Sequence, residues 1–321
     1  MLTRREFFSK SIGATSGGVL AATLGKDLFA AQKSNPASVP KKGEGTVLTL
    51  LGTHGGSRMV KMRAAPSQVI VINKQLYVVD CGSGVGRQLA FAGYNLKDLK
   101  SVFITHHHND HNLDYGTILN LSISAGLKTK VNTYGPVPLQ KMTEQFLEMY
   151  EYTDKQSPFP MPSLKDLVVP HEVAPGFVME DENVKVSCAR VVHPPCKNPY
   201  AFRFDTKDRS ITISGDTAPS SDLIKLAKGS DVLVHEVYYK PFIEMLSARL
   251  PQYKGLIKWF PTSHTDVEQT GKIAHEAEVK TLVLSHIVPG DNPKVTDEMW
   301  LEGASKHFKG TIIMGRDLLS I

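Results

Sequence analysis

Residues 105–111 read Thr105-His106-His107-His108-Asn109-Asp110-His111. The apolar run Val102 to Thr105 reads as a buried strand that ends on these histidines. His106 and His108 lie two apart at a strand end, so their side chains leave one face and can share one metal. Asp110 and His111 follow just past the strand, where a turn can aim them at a second position. A hard carboxylate beside imidazoles suits zinc, manganese or iron rather than calcium. The plain alternative is a histidine-rich solvated loop. Four histidines and an aspartate at this spacing, directly after an apolar strand, argue against it.

One cluster cannot complete two coordination spheres, so further ligands must come from elsewhere. His193 closes the predicted strand Lys185 to Val192, Asp216 follows the strand Ile211 to Ser214, and His286 follows the strand Thr281 to Leu284. Loops at strand ends are where α/β folds place their sites. Outward from these positions, Thr46 to Leu51, Gln68 to Asn73, Leu76 to Asp80, Ala201 to Asp205 and Asp231 to Glu236 also read as strands. Helical patterns fall at Val85 to Ala92, Tyr115 to Ala125, Pro138 to Tyr152 and Asp266 to Glu278. Strand groups alternate with helices in two successive rounds. The expected fold is therefore α/β, with two sheets face to face and helices outside.

The chain has 321 residues, 41% hydrophobic and 21% charged, which excludes collagen-like, low-complexity and disordered classes. Its net charge is +5. Residues 1–31 hold four cations (Arg4, Arg5, Lys10, Lys26) against Glu6 and Asp27, so without them +5 becomes +3. No basic block remains, which argues against a nucleic-acid partner. The start, Thr3-Arg4-Arg5-Glu6-Phe7-Phe8-Ser9-Lys10, resembles a twin-arginine export signal. The weakly apolar run Ile12 to Leu24 is too short and too polar for a permanent membrane span. The expected organisation is an export signal over 1–31, a linker over 32–45 and one folded domain over 46–321 that carries the histidines, exported to the periplasm or secreted. Three cysteines, Cys81, Cys188 and Cys196, make no disulfide framework. The first two read as core thiols, and Cys196, after His193-Pro194-Pro195, could lie near a site.

With these residues in view, the sequence resembles the metallo-β-lactamase-fold superfamily, and within it the ribonuclease Z and arylsulfatase-like branch. His-x-His-x-Asp-His is carried by His106, His108, Asp110 and His111. Leu51-Gly52-Thr53, Asp80-Cys81-Gly82-Ser83-Gly84, Arg87-Gln88-Leu89, Ser214-Gly215-Asp216-Thr217, His235-Glu236, His264-Thr265 and Ser285-His286 match in order. The resemblance spans about residues 46–315 and implies a four-layer αββα sandwich. It also implies two divalent metals, zinc first and manganese or iron as alternatives. In that scheme His106, His108 and His193 bind one metal, Asp110, His111 and His286 the other, and Asp216 bridges them. Redox-active di-iron relatives carry Glu where this chain has His108, which favours hydrolysis. True β-lactamases of the fold lack a carboxylate at the place of Asp216, which weakens an antibiotic-hydrolysing role. The family also suggests a homodimer.

Two metals sharing an aspartate can share a water and lower its pKa, giving a bridging hydroxide as nucleophile. The resemblance puts His264 on the leaving-group side, with Glu236 orienting it. The plain reading of His264 is a histidine near the Thr265-Asp266 helix start. His107 is expected to point away, His235 to be structural, and His54 and Arg58 to sit in a Gly-rich loop that could touch substrate. Only 22 residues separate His193 from Asp216, which leaves no room for the substrate-gripping arm of ribonuclease Z. The aromatic residues Tyr238, Tyr239, Phe242, Tyr253, Trp259 and Phe260 could wall an apolar pocket or pack a helical hairpin. The expected function is an exported dinuclear hydrolase of sulfate or phosphate esters, arylsulfatase-like or phosphodiesterase-like, acting on a small-molecule ester. A lactonase or β-lactamase-type hydrolase, a ribonuclease Z-like phosphodiesterase and a non-catalytic metal-binding protein are the alternatives.

Overall fold

The computed structural model describes residues 45–154 and 162–321. These all fall within the second of the two units into which the chain divides, residues 39–321. The expected export signal, and the linker up to residue 44, lie outside the described residues.

The first sheet runs in chain order through β1 (Val47–Gly52), β2 (Ser67–Ile72), β3 (Gln75–Val79), β4 (Leu99–Phe103), β5 (Val131–Gly135) and β6 (Val168–Glu172). β1 to β3 pair antiparallel and β3 to β6 parallel. The second sheet holds β7 (Gly176–Glu180), β8 (Val184–Arg190), β9 (Tyr200–Thr206), β10 (Ser210–Ile213), β11 (Val232–Tyr238), β12 (Thr281–Val288) and β13 (Thr311–Met314). It is antiparallel from β7 to β10 and parallel from β10 to β13. The described helices are α1 (Val85–Phe91), α2 (Asn109–Asn112), α3 (Tyr115–Ser124), α4 (Leu139–Asp154), α5 (Leu164–Leu167), α6 (Ser221–Ala227), α7 (Lys240–Arg249), α8 (Leu256–Ser263), α9 (Val267–Glu276) and α10 (Asp297–Ser305).

Alternation along the strands builds four layers. In β4, Phe103 points between the sheets, where its ring meets Tyr134 at 5.1 Å and Phe202 and Phe204 of the opposite sheet at 5.5 and 5.0 Å. Its neighbour Val102 points outward onto Val85 and Leu89 of α1 and Ile118 of α3. In β11, Val232 and Val234 face the inter-sheet core while Leu233 packs with Ile273 of α9 and Trp300 of α10. Truncating Phe103 would remove contacts to both sheets, a loss of about 3–5 kcal/mol. The expected αββα sandwich is the observed fold.

The structure moves several boundaries, and with them the backbone that carries the site. β4 ends at Phe103, so His106 and His108 sit on a loop and not on a strand end. That loop is fixed because Ile104 N donates to Tyr134 O of the neighbouring β5 (2.8 Å) and Thr105 O accepts from Tyr200 N of the opposite sheet (2.9 Å). Asp110 and His111 lie in the single-turn helix α2. β8 ends at Arg190, and His193 follows a bridge between Val192 and Ala218. His286 was expected past a strand but lies inside β12. There Glu236 pairs with Ser285 and Val237 with Ile287, so His286 is the extra residue of a bulge, at φ +45°.

Candidate metal centre

The loop Ser214-Gly215-Asp216 leaves β10 and packs onto the loop that carries His106. Gly215 sits at φ +58°, and a Cβ there would lie 2.8 Å from Tyr200 O and 3.0 Å from Thr105 Cβ, so only glycine lets the two loops approach. His106 Nε2 and His193 Nε2 lie 3.0 and 3.1 Å from His108 Nδ1, so three ring nitrogens converge on one point. His111 Nε2 and His286 Nε2 lie 3.7 and 3.5 Å from Asp110 Oδ2 and form a second group. Asp216 stands between the two. Its Oδ1 is 3.3 Å from His111 Nε2, and its Oδ2 is 3.2 Å from His286 Nε2, 3.7 Å from His193 Nε2 and 3.9 Å from His106 Nε2.

Oxygens behind the rings fix which nitrogen faces inward. His111 Nδ1 donates to Asp80 Oδ2 at 2.7 Å, and Asp80 Oδ1 accepts from Thr105 N at 2.8 Å. Ser263 O accepts from His193 Nδ1 at 2.7 Å. A ring that donates from Nδ1 to an oxygen turns Nε2 toward the centre. His264 Nδ1 lies 3.0 Å from Glu236 Oε1, which also accepts from Thr217 N at 2.9 Å. His264 is the C-cap of α8 and lies two residues before Asp266, which caps the start of α9.

The electrostatics of this cluster are those of a buried, highly charged site. Burial pushes Asp216 and Asp110 up, but His286 and His111 outweigh it and hold both well below the usual carboxylate range. Burial pushes His111 down, and Asp216, Asp80 and Asp110 more than reverse it. Burial and the charge of Asp216 raise Glu236, and burial lowers His264.

The residues fit a pair of metal ions on one observation in particular. His111 Nε2, Asp216 Oδ1 and His286 Nε2 are buried and make no hydrogen bond, although His111 Nε2 and Asp216 Oδ1 are 3.3 Å apart. These atoms face a shared space rather than each other, and buried polar atoms in that state call for an ion. The imidazole and carboxylate donors suit zinc, manganese or iron.

The other expected positions separate. His107 turns away, its ring nitrogens 2.8 Å from Pro136 O and 3.2 Å from Asn112 Nδ2. His235 is buried, its Nδ1 donating to Glu236 O, and burial pushes it down to about 4. His54, pushed down to about 4 by burial and His286, lines a cavity of about 410 Å³ together with Asp110, Ser57, Arg58 and Arg87. Arg58 also pairs with Asp291 at 2.9 Å. Cys81 and Cys188 are core thiols. Tyr238 at the end of β11 packs with Ile243 of α7 and Phe260 of α8, while Trp259 sets its ring against His264 at 5.2 Å. Sequence reasoning missed the roles of Asp80 and the Ser263 carbonyl. Asp80 carried a signal, a carboxylate before Cys-Gly-Ser-Gly at a strand end; the Ser263 carbonyl carried none. Cys196 comes within 3.4 Å of His108 Nε2.

Among the described residues no helix is long and apolar enough to cross a membrane. The sequence model of the family described as Anti-Pycsar protein Apyc1 matches residues 46–260. Ribonuclease Z of Mycobacterium bovis (strain BCG / Pasteur 1173P2) is 30% identical over 279 residues, covering 84% of this chain and 96% of that protein. The metallo-β-lactamase-fold protein YhfI from Bacillus subtilis superposes with a TM-score of 0.64 at 19% identity, over 86% of this chain and 98% of that one. Human tRNase Z, short form, does so at 0.63 and 19%, with the same coverage. At that identity the two structures establish the fold, and the curated relative establishes the branch. The chain belongs to the metallo-β-lactamase-fold superfamily, in its ribonuclease Z branch, and is a metal-dependent hydrolase of ester bonds.

Proposed function

We propose that this chain is an exported dinuclear phosphodiesterase acting on small phosphodiesters, of the size of a mononucleotide or dinucleotide ester. His106, His108 and His193 hold one metal, Asp110, His111 and His286 the other, and Asp216 is shared. The observation that carries this reading is the convergence of buried, unpartnered donor atoms from both sheets on Asp216. Bound metals supply a lowered water pKa and positive charge at the phosphoryl oxygens. The protein's own part is to orient and to move a proton. Asp80 and the Ser263 carbonyl hold His111 and His193 in one tautomer. Glu236 occupies Nδ1 of His264, which leaves Nε2 as the nitrogen available to the leaving oxygen.

Phosphate is preferred to sulfate because the curated relatives are named ribonuclease Z. A small substrate is preferred to tRNA because the hairpin of β9, β10 and their turn, residues 200–213, takes up 14 of the 22 residues between His193 and Asp216. The cavity beside Asp110 has the size of a small-ligand site, and Arg58 and Arg87 give it positive charge for an anionic ester. The paired arginines at positions 4 and 5 support export to the periplasm or beyond.

A substrate panel tests the reading: bis-nitrophenyl phosphate, cyclic and linear nucleotide diesters, precursor tRNA, nitrophenyl sulfate, a homoserine lactone and nitrocefin. Turnover should concentrate on the small phosphodiesters. Strong turnover of the lactone and nitrocefin alone would overturn it, and preference for precursor tRNA would restore the ribonuclease reading. Fusing residues 1–40 to a reporter should give export that stops when Arg4 and Arg5 become Lys.

A further inference from the structure

Resting on the dinuclear reading, we propose that Cys196 Sγ is a further donor to the metal held by His106, His108 and His193, adding one thiolate to three imidazoles and the shared Asp216 in a set that favours zinc over manganese. One ligand atom from each of these four residues lies within 4.8 Å of the others. The thiol is placed there by a tight turn. Cys196 N donates to His193 O at 2.9 Å, so the chain folds back through Pro194 and Pro195 and returns Cys196 beside His193. Ser263 pins the start of the turn, since its carbonyl accepts from His193 Nδ1 and its hydroxyl donates to Pro194 O at 2.9 Å. Cys196 is partly exposed, unlike Cys81 and Cys188, which belong to the cores. A soft thiolate among imidazoles discriminates for zinc and against manganese, which prefers oxygen donors.

Cobalt(II) reads the thiolate directly. The full chain loaded with cobalt should show a thiolate-to-metal charge-transfer band in the near ultraviolet. Cys196→Ser should lose the band while still binding cobalt, and Cys188→Ser should keep it. Zinc should displace manganese about tenfold less effectively in Cys196→Ser than in the parent protein. Loading zinc should slow iodoacetamide labelling of Cys196, read by peptide mass spectrometry. Absence of the band in cobalt-loaded protein, its survival in Cys196→Ser, or equal labelling of Cys196 with and without zinc overturns the proposal. If cobalt binds at two equivalents without the band, the dinuclear reading stands and only the thiolate falls. If no cobalt binds, both fall.

Discussion

The two donor groups around Asp216 are built differently. The first, His106, His108 and His193, is all imidazole and comes from loops, with its geometry held by a backbone carbonyl and a folded-back turn. The second, Asp110, His111 and His286, carries its own carboxylate and rests on unusual backbone. Asp80, which anchors His111, has φ +60°, and His286 has φ +45°. A non-glycine residue in that region costs about 1–3 kcal/mol, which the surrounding sheet must offset. The first group thus depends on Asp216 for all its carboxylate charge, whereas the second keeps Asp110 without it. His193 of the first group is oriented by a neutral backbone carbonyl, whereas His111 of the second is oriented by a buried carboxylate on left-handed backbone.

Replacing Asp216 is the largest test of that asymmetry. Asp216→Ala should lower turnover by on the order of 10³-fold, because the shared charge at the reacting centre is lost. Metal analysis should show the histidine triad emptying before the group that retains Asp110. Full activity in this variant would sink the shared role of Asp216, and equal loss from both groups would break the asymmetry. His264 comes next. His264→Ala should cut kcat by roughly 10²- to 10⁴-fold on an alkyl ester, as loss of an acid–base group does, with metal content unchanged. With nitrophenolate as the leaving group the loss should shrink, since that group needs little protonation. A loss independent of the leaving group would place His264 in a structural role instead.

How far the sequence shows this asymmetry depends on where each residue's position is decided. His106, His108, Asp110 and His111 are contiguous, so their proximity is local and readable. His193 and Asp216 are readable as polar residues closing apolar strands. His286 is not placed so easily, because its bulge exists only in the pairing of β11 with β12, and a residue's left-handed φ leaves no mark in a run such as Leu284-Ser285-His286. Asp80 is visible as part of a motif, but its bond to His111 spans 31 positions of chain. Strands β6, β7 and β13 lie at sheet edges, are only four or five residues long and are mostly part-exposed, so no burial pattern marks them in the sequence. The layers themselves are legible because core strands such as β11, buried along its length, open on an unbroken apolar run, Val232 to Val234.

Two smaller substitutions sharpen the comparison from the second group outward. Asp80→Asn keeps the shape but removes the charge behind His111, and should weaken metal binding at the Asp110 group about 10- to 100-fold. The triad should keep more of its metal, because His193 leans on Ser263 and the turn at Pro194, and only His106 reaches Asp80, through Thr105. Equal weakening of both groups, read by competition with a chelating dye, would mean that the two positions are one cooperative unit. His107→Gln is the smallest change and the control for the whole motif. This histidine sits between two ligands in sequence, yet its ring nitrogens meet Pro136 O and Asn112. Its loss should cost about 1 kcal/mol of stability in a denaturant titration and leave metal content untouched. A loss of metal from His107→Gln would show that the loop's tether to Pro136, and not the donor chemistry alone, sets the first group's geometry.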